Sequence, residues 1–328
     1  MMKLPKIELH CHLDGSLRPE SVADIAKIEN IDLGIEGIEN IRHAMAAPNE
    51  CTSLDEYLER FKLPLMVMQS KYAIKRVVYE LLEDAANENV KYIEIRFAPI
   101  FHIIKGLSLE EVIESAVSGL EEGEDKFDIK GNLILSCMRH LGEKEAFETV
   151  EAGKKFLGKG VVAIDVAGSE GPGFAKAFEK PIALAKKYGY RVTIHAGETG
   201  IGRNVIEAIE ILGAERIGHG VYITDCKESY DAVKEKGIVL EMCPTSNVQT
   251  KAVKEYKDHP FADFHRKGIK VTVNTDNRTV SQVNMTRECE VLFDEFKVNN
   301  EEYKKVYLDS IDASFCDNET KVWLKRFI

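Results

Sequence analysis

The chain has 328 residues, with 55 acidic against 44 basic side chains and a formal net charge of −11 with histidine neutral. That acidity disfavours a nucleic-acid partner, and 44% hydrophobic residues with 9 prolines and 23 glycines exclude a disordered, collagen-like or disulfide-dense chain. Seven cysteines with no CxxC pair read as reduced thiols, and no stretch reaches the roughly 18 apolar residues of a membrane span. The expectation is therefore a cytoplasmic protein with no membrane partner; nothing in the sequence sets an oligomeric state.

Eight short apolar or β-branched runs alternate with amphipathic stretches, at residues 7–15, 92–99, 133–140, 161–168, 191–197, 217–220, 238–243 and 270–275. Alternation of this kind predicts a parallel α/β fold, and eight repeats predict a closed (β/α)8 TIM-type barrel, a single domain over residues 1–328. SLEEVIESAVSGLEEGED from Ser108 and EKPIALAKKYG from Glu179 carry helical spacing, the second ending at a glycine suited to a C-cap. An open doubly wound sheet would carry a glycine-rich phosphate turn after its first strand, where this chain has HCHLDG. Residues 30–70 are too long for a simple βα connection and hold SLDEYLERFKLPLMVMQ, so they read as a helical insertion after strand 1, either a lid at the barrel mouth or a helix on its wall. Residues 281–328 read as helices that cap the barrel.

The strand ends carry the chemistry. Side chains two apart on a strand share a face, so His10 and His12 in ELHCHLDG project together, at the end of the barrel where catalytic groups assemble. Strand 5 ends in VTIHAGETG and places His195 at the same mouth, and strand 8 ends in VTVNTDNR and places Asp276 there. Three imidazoles and a carboxylate suit one Zn²⁺ with an open position for water, whose pKa such an ion lowers towards neutrality, giving a nucleophile without Ser or Cys. His219 in RIGHGV either takes that water's proton or steers it, and its flanking glycines would let a substrate approach closely. Glu198, partly desolvated beside the metal, has the makings of a proton donor.

HCHLDGS, HAGE, GHG, CPTSN and NTDN, in this order and at these strand ends, closely resemble the metal-dependent adenosine deaminase family of the amidohydrolase barrels, over almost the whole chain. The resemblance implies zinc on His10, His12, His195 and Asp276, with Glu198 protonating purine N1 and His219 facing the attacking hydroxide at C6. The implied reaction is hydrolytic deamination of adenosine to inosine and ammonia, as in purine salvage. It further implies Asp14 as acceptor for the ribose 5′-hydroxyl, where enzymes acting on free adenine tend to have Glu, and Gly168 as the backbone donor near N3. Where the animal enzymes carry a second aspartate, this chain has Asn277, an amide able to donate to N7. Ser169-Glu170 also departs from the common Asp-Glu. The rivals are a deaminase of adenine or a modified adenine nucleoside, a non-catalytic purine-binding barrel, and a two-metal barrel, for which strand 4, VVAIDVAG, lacks the required lysine.

Overall fold

The computed structural model describes residues 1–48, 51 and 53–328. Eight parallel strands follow one another around the sheet in chain order. They are β1 (Lys6–His12), β2 (Val90–Phe97), β3 (Lys130–Met138), β4 (Val161–Ala167), β5 (Arg191–Ala196), β6 (Arg216–His219), β7 (Val239–Met242) and β8 (Val271–Val273). Each expected run coincides with one strand. At the mouth the ring is joined by the His12 N–H to the Asp276 carbonyl at 2.7 Å and the Asp276 N–H to the His10 carbonyl at 2.9 Å.

Alternation along each strand separates two environments. On β4, Ile164 and Val166 face the outer shell, where they join one large apolar cluster with helix residues such as Val112, Phe178 and Phe264. Asp165, between them, points into the cylinder. The interior is correspondingly polar and charged: Arg96 on β2 reaches Glu241 on β7 at 2.6 Å and Asp165 at 3.3 Å, and Arg216 on β6 binds Glu241 at 2.6 Å and Glu94 at 2.5 Å. All five side chains are essentially solvent-free, and such charges persist only when every one is paired.

The helix at Leu109–Lys126 opens on a capping box between Ser108 and Glu111, as its SxxE pattern dictates. The helix expected from Glu179 begins earlier, at Ala175–Tyr188, and ends on left-handed Gly189. The C-terminal helices Asn300–Ala313 and Asn318–Leu324 close the floor, where Tyr307, Ile311 and Leu324 pack on Ile7, Leu9 and Tyr92. The insertion folds into short helices at Ile38–Met45, Leu54–Leu58 and Lys62–Val67; its residues 49, 50 and 52 lie outside the described residues. No helix among the described residues is long and apolar enough to cross a membrane, and the seven cysteines are free thiols.

Candidate metal centre and active site

The ends of β1, β5, β6 and β8 bring the sequence-predicted side chains to one point. His12 Nε2 lies 3.2 Å from His195 Nε2 and 3.4 Å from Asp276 Oδ1, and His10 Nε2 lies 3.4 Å from the same oxygen. A tetrahedral ion with bonds near 2.0–2.1 Å has donor–donor edges of about 3.3 Å, so the spacing fits. His10 Nε2 is buried with no hydrogen-bond partner, an orphan lone pair of the kind an ion satisfies. The donor atoms of His10, His195, His219 and Asp276 all lie within 4.8 Å of one another, which sets His219 within the same cluster.

The second ring nitrogens explain the orientation. His10 Nδ1 meets Glu241 at 2.8 Å, and His195 Nδ1 meets Asp165 at 2.9 Å, so each ring turns its Nε2 inward. Arg96 ties these two carboxylates together from within the barrel. Asp276 Oδ2 accepts from Ser246 at 2.6 Å, leaving Oδ1 to the cluster. Burial pushes the His12, His195 and His219 imidazoles below the ordinary histidine value, in the direction of neutral rings with free lone pairs. Burial alone would raise the Asp276 carboxyl, yet His10 beside it and the other surrounding imidazoles hold it well below the usual range.

Two backbone features show that the site is held under strain. His219 and Asp276 both adopt left-handed backbone, at φ 64° and 63°, which non-glycine residues pay for and which surrounding contacts must enforce. The glycines beside His219 also have a packing role. A Cβ on Gly218 would stand 2.8 Å from His10 Cε1, and one on Gly220 would stand 2.7 Å from Leu240.

A cavity of about 240 Å³ opens over this cluster. Its polar wall includes Asp14, Gly168, Glu198 and Asn277, and the insertion supplies an apolar roof of Leu54, Tyr57, Leu58, Phe61 and Leu65. Burial first, then the nearby Asp276 and Glu170 carboxylates, push the Glu198 carboxyl well above the ordinary range. Its Oε2 lies 3.6 Å from His219 Nε2. Burial likewise raises Asp14 to about 7. Asn277 packs against Gly15, where a Cβ would stand 1.9 Å from its Oδ1.

Sequence reasoning assigned no role to the residues that hold this wall. Glu170 accepts the backbone N–H groups of Gly197, Glu198 and Thr199 at 2.9, 2.7 and 3.2 Å, which fixes the turn carrying Glu198. Arg139 donates to the carbonyls of Gly168 and His195. Asp165 and Glu241 were detectable in principle, because an isolated acid inside an apolar strand run is a buried charge in need of a partner.

Comparison with known proteins agrees with the geometry. The adenosine deaminase family model matches residues 5–327. An adenosine deaminase of Clostridium perfringens is 53% identical over 328 residues, covering 100% of this chain and 99% of the relative. The crystal structure of an adenine deaminase from Arthrobacter aurescens superposes with a TM-score of 0.92 at 27% identity, covering 99% of this chain and 98% of the other. A zinc-bound amidohydrolase from Burkholderia ambifaria superposes with a TM-score of 0.90 at 28% identity, covering 99% and 91%. With its barrel, its converging donors and a full-length match, the chain belongs to the adenosine deaminase family.

Proposed function

We propose that this chain is a zinc-dependent hydrolytic deaminase that converts adenosine, and 2′-deoxyadenosine, to inosine or deoxyinosine and ammonia, with one zinc per chain. The observation that carries the reading is the set of 3.2–3.4 Å contacts that link His12 to His195 and both His12 and His10 to Asp276, beside a buried Glu198 whose carboxyl is pushed well above the ordinary range. A divalent ion on those four donors would supply Lewis-acid activation of a water near neutral pH.

The remaining work falls to this chain's own residues. Glu198, kept protonated by burial, donates to purine N1 as water adds at C6, and the 6-amino group leaves as ammonia. Asn277 donates to N7, the Gly168 backbone N–H meets N3, and Asp14 accepts from the ribose 5′-hydroxyl. A 5′-phosphate in that position would meet a carboxylate, which disfavours nucleotides. The apolar roof from the insertion excludes water from the purine face and strengthens each of these contacts. The partner is thus a small purine nucleoside, handled by one barrel domain, and the free thiols support a reducing, cytoplasmic setting.

The test is incubation of zinc-loaded protein with adenosine and with adenine, following ammonia release. Turnover of adenosine supports the reading, turnover of adenine alone transfers the site to free bases, and no turnover of any adenine compound removes the proposed reaction. Comparison with 7-deazaadenosine reads the N7 contact, since equal efficiency would remove that role from Asn277.

A further inference from the structure

Three hydrogen bonds leading away from His219 form a chain whose direction is set at its far end. The backbone N–H of Phe261 can only donate, and it lies 3.2 Å from His259 Nδ1, which must accept. His259 therefore carries its proton on Nε2, and that nitrogen lies 3.1 Å from Asn247 Oδ1. With its oxygen committed as an acceptor, Asn247 presents its NH₂ group, 2.9 Å from His219 Nδ1. His219 must accept there and carry its own proton on Nε2, the nitrogen 3.6 Å from Glu198 and facing the metal cluster. All three side chains are at most 5% exposed, so water does not compete for these bonds.

We propose that Asn247 and His259 are positioning residues that lock His219 in the Nε2–H tautomer, so that His219 donates a hydrogen bond into the site and does not accept a proton there. The inference rests on the reading of this cluster as the reaction centre, but it concerns only which nitrogen bears a proton. His219 then aligns the attacking oxygen and takes no proton from it. Burial keeps His259 neutral, with its value lowered to about 3, which agrees with a ring that both accepts and donates.

The direct test is ¹⁵N NMR of the zinc-loaded protein with labelled histidine, the His219 ring signals being assigned through a His219→Gln variant. A bare Nδ1 and a protonated Nε2 on His219 in the wild type are expected; the opposite tautomer overturns the proposal, whether or not adenosine proves to be the substrate. Asn247→Asp keeps shape but cannot donate to His219, so the tautomer should switch and kcat should fall at least about tenfold with KM little changed. His259→Gln can accept from Phe261 and donate to Asn247, and should restore the wild-type tautomer that His259→Leu loses. An Asn247→Asp protein that unfolds earlier yet keeps the His219 signals and kcat of the wild type would reduce Asn247 to a structural role.

Discussion

The inside of the barrel and the shell around it are built from the same strands and obey opposite rules. Outward residues such as Ile164, Val166, Ile194 and Leu240 pack against helices as an apolar layer in which volume matters and direction does not. Inward residues such as Arg96, Asp165, His195 and Glu241 form a paired column in which each group has a named partner and a direction. The shell makes the barrel stable; the column aims two of the four proposed ligands. A change in one region should therefore be read by a different instrument from a change in the other.

The largest expected separation is at the mouth of the column. Glu198→Gln should lower turnover by about 10²–10⁴-fold while leaving metal content and melting temperature near those of the wild type. Because the raised Glu198 value keeps the acid form, wild-type activity is present at lower pH and lost as pH rises through that value, and the variant should lack this alkaline limb. Unchanged turnover would take the proton-donor role from Glu198.

In the shell, Phe264→Ala removes a ring with no exposure and should cost about 3–5 kcal/mol of stability, read by denaturant unfolding, with kcat of the folded fraction preserved. In the column, Asp165→Asn keeps the volume but loses the carboxylate behind His195, and metal affinity in a chelator competition should fall about 10–100-fold. Loss of affinity in the first variant and none in the second would erase the distinction.

The smallest effect sharpens it from the shell side. Glu288 is fully buried beside the Thr245 N–H at 3.1 Å, its other oxygen has no partner, and burial raises its value from 4.5 to about 8. An acid with a raised folded value contributes stability that is complete below about 4.5 and is lost as pH rises through about 8. Glu288→Gln should flatten that decline, raising the melting temperature at pH 9 by a few degrees and leaving it nearly unchanged at pH 5. Parallel pH profiles for the two proteins would place the proton elsewhere.

The same contrast explains what could be read from sequence. The shell announces itself through apolar periodicity, so all eight strands and the helix after Ser108 were legible to within a few residues. His10, His12, His195 and Asp276 were legible because they sit at strand ends within short motifs. The partners of Asp165, Glu241 and Arg96 and the Asn247–His259 chain were not, because each acts on a residue far away in sequence through a contact that exists only once the barrel has formed. The Gly15 and Gly218 positions are similar, since the side chains they admit, Asn277 and His10, arrive from elsewhere in the chain.

The most direct test of the whole account is to strip the protein with a chelator, add zinc back in measured steps, and follow ammonia released from adenosine at each step. Activity should vanish on stripping and return linearly to a plateau at one ion per chain. Full turnover by the stripped protein, or a plateau only at two ions, would contradict a single ion held by His10, His12, His195 and Asp276.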